Sequence, residues 1–435
     1  MVNPVVTETR VQNEPSSSNR RAMAMVTTLF FMWGFLTSLN DILVPHLKAI
    51  FELNYARVML INSAFFGAYF VFAIPSGKII EWIGYKKTMV VGLVTMALGA
   101  VLFVPAANAP SFPLFLAALI VLAAGVTGLQ VAANPYVTVL GPARTASSRL
   151  NLTQAFNSLG TTIAPYLGSL VILASAPISP GELEKLSIPA RRQLEASTVK
   201  IPYIGIAVCL AALALAIAIS KLPKIETTRE FRPMGDTDTA VQSLWKHRQL
   251  ILGALGIFLY VGAEVSIGSF LSNYLSQPNI GNMPIRRAAE FVSFYWMGAM
   301  IGRFIGSAVL QKVSTHTVLG FVALVACALV VTSMASTGHI AMWSIIFVGL
   351  FNSVMFPSIF TLGIEGLGPL TGKGSGLLVM AIVGGAVIPV MEGFLADRIG
   401  IHHAFVLPAL CYLYIAYYGY RGSRHVPAPS YAAAA

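Results

Sequence analysis

Apolar runs of about 20 residues recur along the whole chain, separated by short polar punctuation. They cover 23–51, 58–80, 87–106, 112–140, 147–175, 201–220, 248–277, 287–310, 316–334, 339–368, 372–396 and 402–420. A helix rises 1.5 Å per residue, so a run of this length spans the ~30 Å hydrocarbon core of a bilayer. The pattern predicts an all-α polytopic membrane protein with twelve transmembrane helices. The polar stretches divide it. Residues 1–22 read as a disordered cytoplasmic tail, 221–247 as a cytoplasmic linker, and 421–435 as a C-terminal tail. Between them lie two six-helix halves, 23–220 and 248–420. An even number of spans places both termini on one side. Halves of this kind, built from inverted repeats, hold a binding site near the midplane between them.

Composition agrees. The 435 residues are 56% hydrophobic and 10% charged, against about 25% charged in soluble domains. The net charge of +11 concentrates in the segments that are cytoplasmic when the N-terminus is inside, with the largest group between Lys221 and Arg248. That is the positive-inside bias of a membrane protein, not a nucleic-acid patch. Cys209, Cys327 and Cys411 sit in apolar runs without metal or disulfide spacing and read as packing residues. The first twenty residues have no apolar signal core. In the outer segment 176–200, Ser179-Pro180-Gly181-Glu182 reads as a helix start and predicts a short surface helix. No HExxH, serine–histidine pair or nucleotide motif is present, and no sizeable signalling domain, so an enzyme or a receptor is a remote alternative. No cofactor and no metal site are expected.

Asp41 is the residue that asks for a function. It lies inside the first run, beside Asn40, where a carboxylate costs about 2.5–3.5 kcal/mol on insertion scales. Such a group faces a water-filled path, an ion or a partner helix. Amides recur at helical spacing: Gln130 and Asn134 share a face of the fourth run, and Asn151, Gln154 and Asn157 form a stripe on the fifth. Ser266, Ser269 and Asn273 form another on the seventh, and Asn352 lies in the tenth. Amides donate and accept, which suits sugar hydroxyls; the alternative is a hydrogen bond between helices, worth about 0.6 kcal/mol on average. Phe31, Phe35, Trp296, Phe351 and Phe356 are candidates to stack on a pyranose, with core packing or lipid contact as the alternative. Glu264 and Arg303 are charged residues within the seventh and eighth runs and read as gate or structural groups. Glu365, Glu392, Asp397 and Arg398 lie near run ends, where solvated charge is the expectation. Gly302 and Gly306, and the Gly-rich run Gly372–Gly385, predict close helix approach.

The link between the second and third runs, Gly77-Lys78-Ile79-Ile80-Glu81-Trp82-Ile83-Gly84-Tyr85-Lys86-Lys87, resembles the signature loop of the major facilitator superfamily. Glu81 stands where that family usually has Asp, and Tyr85 where it usually has Arg. Asn40-Asp41, Gln130-Val131-Ala132-Ala133-Asn134-Pro135, Arg149 to Ser158, Tyr260 to Val265, Gly302-Arg303 and Phe356 to Phe360 together resemble the fucose–galactose–glucose/proton symporter family, over about residues 28–420. The resemblance implies a secondary transporter importing a hexose by proton symport and alternating access, with Asp41 as proton carrier. It also implies a latching role for Glu81 and Lys86. The family's second membrane carboxylate falls at Gln130, an amide that cannot take up a proton. Glucose/galactose-type members are therefore the nearer match. Sodium coupling, or none, is the rival within this class. The expected partners are the hexose and the lipid bilayer, with the chain a monomer in a bacterial inner membrane.

Overall fold

The computed structural model describes residues 17–50, 55–109, 111–174, 200–223 and 244–424. Among these the chain is helical, without strands. The first half contains α1 (Ser17–Ile50), α2 (Tyr55–Asn108), α3 (Phe112–Val139), α4 (Ala146–Ala174) and α5 (Lys200–Ile219). The second contains α6 (Arg248–Leu275), α7 (Ile285–Val309), α8 (Thr315–Ala335), α9 (Gly338–Asn352), α10 (Met355–Ile364), α11 (Thr371–Met380), α12 (Gly384–Ile399), α13 (Ile401–Ala404) and α14 (Val406–Tyr417). Eight helical stretches among the described residues are long and apolar enough to cross a membrane. The surface helix expected at Ser179–Glu182 and most of the linker 224–243 lie outside the described residues.

Local chemistry explains where boundaries depart from the apolar pattern. α1 begins at Ser17, ahead of the predicted run at 23, so the last residues of the expected tail are helical. The second and third runs are joined in α2 and broken only at Gly84 (φ 78°, ψ 167°), a backbone conformation that glycine adopts without a Cβ clash. The tenth run is divided between α9 and α10 around Ser353. Pro357 has no N–H to give the carbonyl four residues back, so the ladder is interrupted there. The eleventh run is divided too, by a 3-10 turn at Ala381–Val383. Gly400 (φ 81°) ends α12, and Ser314 caps α8 by accepting from the Thr317 N–H.

In the first half α2 packs on α3 and α5, and α1 packs on α4; in the second, α9 and α14 pack on α8, α9 on α7, and α10 and α12 on α6. The halves meet along two seams. One sets α4 against α7 and α10, and the other sets α2 and α3 against α11. Glycines permit the closest approaches. A Cβ on Gly34 of α1 would lie 2.1 Å from the Asn157 carbonyl oxygen of α4, and one on Gly77 of α2 would lie 2.9 Å from the Gly372 carbonyl of the second half.

Candidate functional site

The α4 face toward the second half carries hydroxyl and amide groups one helical turn apart. Ser148 Oγ donates to the Ser307 carbonyl at 2.7 Å, and Ser307 Oγ returns a bond to the Ser148 carbonyl at 3.1 Å. Thr315 Oγ1 donates to Ser147 Oγ at 2.9 Å. Asn151 Nδ2 donates to the Arg303 carbonyl at 2.6 Å. The Arg303 guanidinium reaches back across the seam to Ser158 Oγ and to the Gln154 carbonyl, the latter at 3.4 Å, while its Nε donates to the Ser353 carbonyl at 3.3 Å. That last acceptor is the carbonyl that Pro357 leaves without a helical donor.

At the second seam a proline-freed carbonyl is bonded across the halves. Pro135 in α3 leaves the Val131 carbonyl without its partner four residues on, and Ser375 Oγ of α11 donates to it at 2.8 Å. Lys373 Nζ pairs with Glu81 at 3.0 Å; both side chains are partly solvated, at 38% and 23% exposure. Glu81 is therefore joined to the opposite half. Lys86 is not: its ammonium caps α5 through the Ala218 carbonyl at 2.8 Å and the Ser220 carbonyl at 2.7 Å, which satisfies orphan groups at a helix C-terminus. Both seams reach the end of the bundle that carries Lys78, Lys86, Lys87, Arg144 and Lys312.

The expected sugar-facing residues fall into several environments. Gln130 is buried and its Nε2 donates to the Tyr69 hydroxyl at 2.6 Å. Asn134, one turn on, is fully buried, with neither its amide nitrogen nor its oxygen partnered among the described residues. In the second half Asn352 is equally buried; its Nδ2 donates to the Tyr295 hydroxyl at 2.6 Å, and the Tyr412 hydroxyl, itself without a partner among the described residues, lies beside the amide. Gln154 is buried at the α4–α7 seam. Asn157 instead donates to the Phe30 carbonyl of α1 at 3.0 Å. Each step of three residues turns a helix by about −60°, so Asn151 faces α7 while Asn157 faces α1. The supposed single stripe divides between two neighbours.

Asn273 is exposed near the end of α6, and Ser269 is exposed while Ser266 of the same helix is buried. Trp296 is 43% exposed, edge-on to Tyr295 at 5.1 Å. Phe31 stacks on Phe35 at 6.4 Å. Glu264 accepts from the Tyr260 hydroxyl at 2.7 Å. Asn40 and Asp41 lie on α1, and their side chains are outside the described residues. Glu392 corrects the sequence expectation: it is not solvated at a run end but 0% exposed, because α12 runs on to Ile399. Lys373, Ser375, Tyr69 and Tyr295 were not anticipated. Pro135 and Pro357, each inside an apolar run, were the signals for the two carbonyl acceptors.

Buried polar atoms without a partner are costly, about 1–3 kcal/mol each. Asn134 therefore offers unmet donor and acceptor capacity suited to a polyhydroxylated ligand. Against known proteins, residues 25–388 match the family described as Major Facilitator Superfamily. The chain is 51% identical over 422 residues to a glucose/galactose transporter of Brucella abortus (biovar 1, strain 9-941), covering 97% of this chain and 98% of that protein. It is 36% identical over 398 residues to an L-fucose-proton symporter of Escherichia coli (strain K12), covering 90% and 91%. The crystal structure of the transporter FucP in the outward conformation superposes with a TM-score of 0.86 at 35% identity, over 94% of this chain and 100% of that one.

Proposed function

The chain belongs to the Major Facilitator Superfamily, and from that premise we propose that it imports a hexose of the glucose/galactose type together with a proton, by alternating access. The observation that carries the reading is the buried amide of Asn134, whose donor and acceptor are both unmet among the described residues, with Asn352 buried in the opposite half. A ligand held between them bonds to both halves at once, which is what a rocking transporter requires of its substrate. The names of the relatives support a sugar as that ligand. The higher identity to the glucose/galactose transporter, with an amide at Gln130, favours glucose or galactose over fucose.

Asp41 is the coupling residue in this scheme. A proton neutralises its charge, allowing the carboxyl to sit in a dry site; hydration on the receiving side lets the proton go to water. The seams seal the basic end of the bundle. With that end cytoplasmic, as positive-inside bias directs, the sugar path opens outward, in keeping with the likeness to outward FucP. Both termini then lie in the cytoplasm of a bacterium and the chain sits in its inner membrane. The test is transport in proteoliposomes. Asp41→Asn is expected to abolish accumulation of labelled galactose against its gradient while leaving counterflow measurable. An Asn variant that still concentrates sugar at the wild-type rate removes Asp41 from the coupling step. Accumulation driven by a sodium gradient at fixed pH would replace the proton with sodium.

A further inference from the structure

Glu392 is a buried carboxyl that the scheme above does not use. It lies on α12, seven residues or about 10 Å along the axis before the helix ends at Ile399. It is 0% exposed, and neither oxygen has a hydrogen-bond partner among the described residues. The groups around it come from several helices. Ser266 Oγ of α6 lies against the carboxyl, short of hydrogen-bond geometry, and is itself buried without a partner. Tyr295 of α7 and Cys411 of α14 lie nearby; the Tyr295 hydroxyl is taken by the Glu264 carbonyl and by Asn352. α2 brings Phe66 against Gly385, on the preceding turns of α12. On α13, His402 is turned to Tyr274 and to the Met334 carbonyl. Asp397 and Arg398 of α12 itself are exposed. No lysine, arginine or histidine among the described residues acts on the carboxyl.

A carboxylate with no counter-charge and no donor is the most expensive state such a site can hold. A proton removes the charge and supplies an O–H for the Ser266 hydroxyl to accept. Hard metal cations take several converging oxygens, and here the described neighbour in place is the Ser266 hydroxyl alone. We propose that Glu392 is a proton-binding site of the second half, filled in this conformation with the Ser266 hydroxyl beside it, and that it adds a second protonation step to transport. Release transfers the proton to water and leaves the carboxylate. The link to transport rests on the proton-coupled reading; the bound proton does not.

Infrared spectra of the full-length protein in detergent at neutral pH test the site. Wild type and Asp41→Asn are expected to show a neutral-acid carbonyl band that shifts in Ser266→Ala and is lost in Glu392→Gln. If every such band persists in Glu392→Gln, the assignment fails. If Glu392→Gln does not fold, Ser266→Ala decides: an unmoved band overturns the proposal. Loss of the band when sodium replaces choline at constant pH assigns the site to a metal cation instead. In proteoliposomes, galactose counterflow by Asp41→Asn is expected to fall by roughly tenfold per pH unit above the ionisation of Glu392. Asp41→Asn combined with Glu392→Gln keeps its rate within about twofold over the same range, since neither position then has a proton to lose. Identical pH profiles sink the second step while leaving Asp41 untouched. Accumulation by Asp41→Asn sinks the Asp41 reading and leaves the infrared result standing.

Discussion

Arg303 is the residue whose removal should most change the balance between closed and open seams. Its guanidinium holds Ser158 and the Gln154 carbonyl of α4 from one side and the Ser353 carbonyl from the other. Replacing it with alanine leaves the Ser353 carbonyl with neither a helical nor a side-chain donor. A hydrogen bond from a charged donor is worth about 1.5–3 kcal/mol. The Arg303 bonds to Ser158 and the Gln154 carbonyl cross the seam, so their loss acts on the closed arrangement alone, whereas the bond to Ser353 lies within the second half and is lost from both arrangements equally. At 1.4 kcal/mol per factor of ten, that range shifts the equilibrium toward opening by roughly 10- to 150-fold. The assay is thiol labelling of Ser148→Cys, a seam position bonded across to Ser307, in a background with Cys209, Cys327 and Cys411 replaced. When labelling proceeds through transient opening, its rate should rise by the same factor in Arg303→Ala. Arg303→Lys keeps the charge without the planar fork and should fall between. A labelling rate within twofold of the reference refutes the idea that Arg303 holds this seam shut.

Other consequences follow from the same geometry. Asn134→Ala and Asn352→Ala should each weaken galactose binding by roughly 5- to 150-fold, the value of a ligand hydrogen bond whose partner is left unmet; calorimetry with unchanged affinity in both removes them from the site. Asn157→Ala should instead lower the melting temperature more than the affinity, since its amide is given to the Phe30 carbonyl. Glu81 and Lys373 should show a coupling of only about 0.2–1 kcal/mol in a double-mutant cycle read by thermal unfolding, because both are partly solvated; a coupling above 3 kcal/mol would mean the pair is far drier than its exposure indicates. Gly34→Ala should destabilise the fold by about 1–3 kcal/mol, since the added Cβ would meet the Asn157 carbonyl; an unchanged melting temperature would mean that α1 and α4 separate freely.

Hydropathy carried the helical class, because a bilayer forces backbone groups to pair within helices and the apolar run length records that demand. The breaks inside helices were less legible. Ser353 and the turn at Ala381–Val383 interrupt runs that remain apolar throughout, so hydropathy does not register them, whereas Gly84 falls in the polar link between the second and third runs. Side-chain direction was harder still. Asn151, Gln154 and Asn157 read as one stripe at spacing three, yet two helices share them. Glu392 sits close enough to a polar turn in sequence to resemble a surface acid, and only the extension of α12 to Ile399 places it inside. Lys373 and Ser375 sit in a glycine-rich run, where close packing was the natural reading. Their acceptors across the seam are far apart in sequence, and no local pattern joins them.

The polar contacts across the seams also set how they come apart. A joint made of interdigitated apolar side chains exposes oily surface when it opens, and water resists that. A joint made of hydroxyls and a guanidinium lodged on bare backbone carbonyls exposes groups that water can bind in their place. Separation of α11 from α3, or of α7 from α4, therefore exchanges one set of partners for another of similar strength. Such a contact tolerates repeated breaking without a large difference in energy between its two sides. Pro135 prepares one such docking point, the Val131 carbonyl, formed when the helix folds and accessible to protein or solvent in turn.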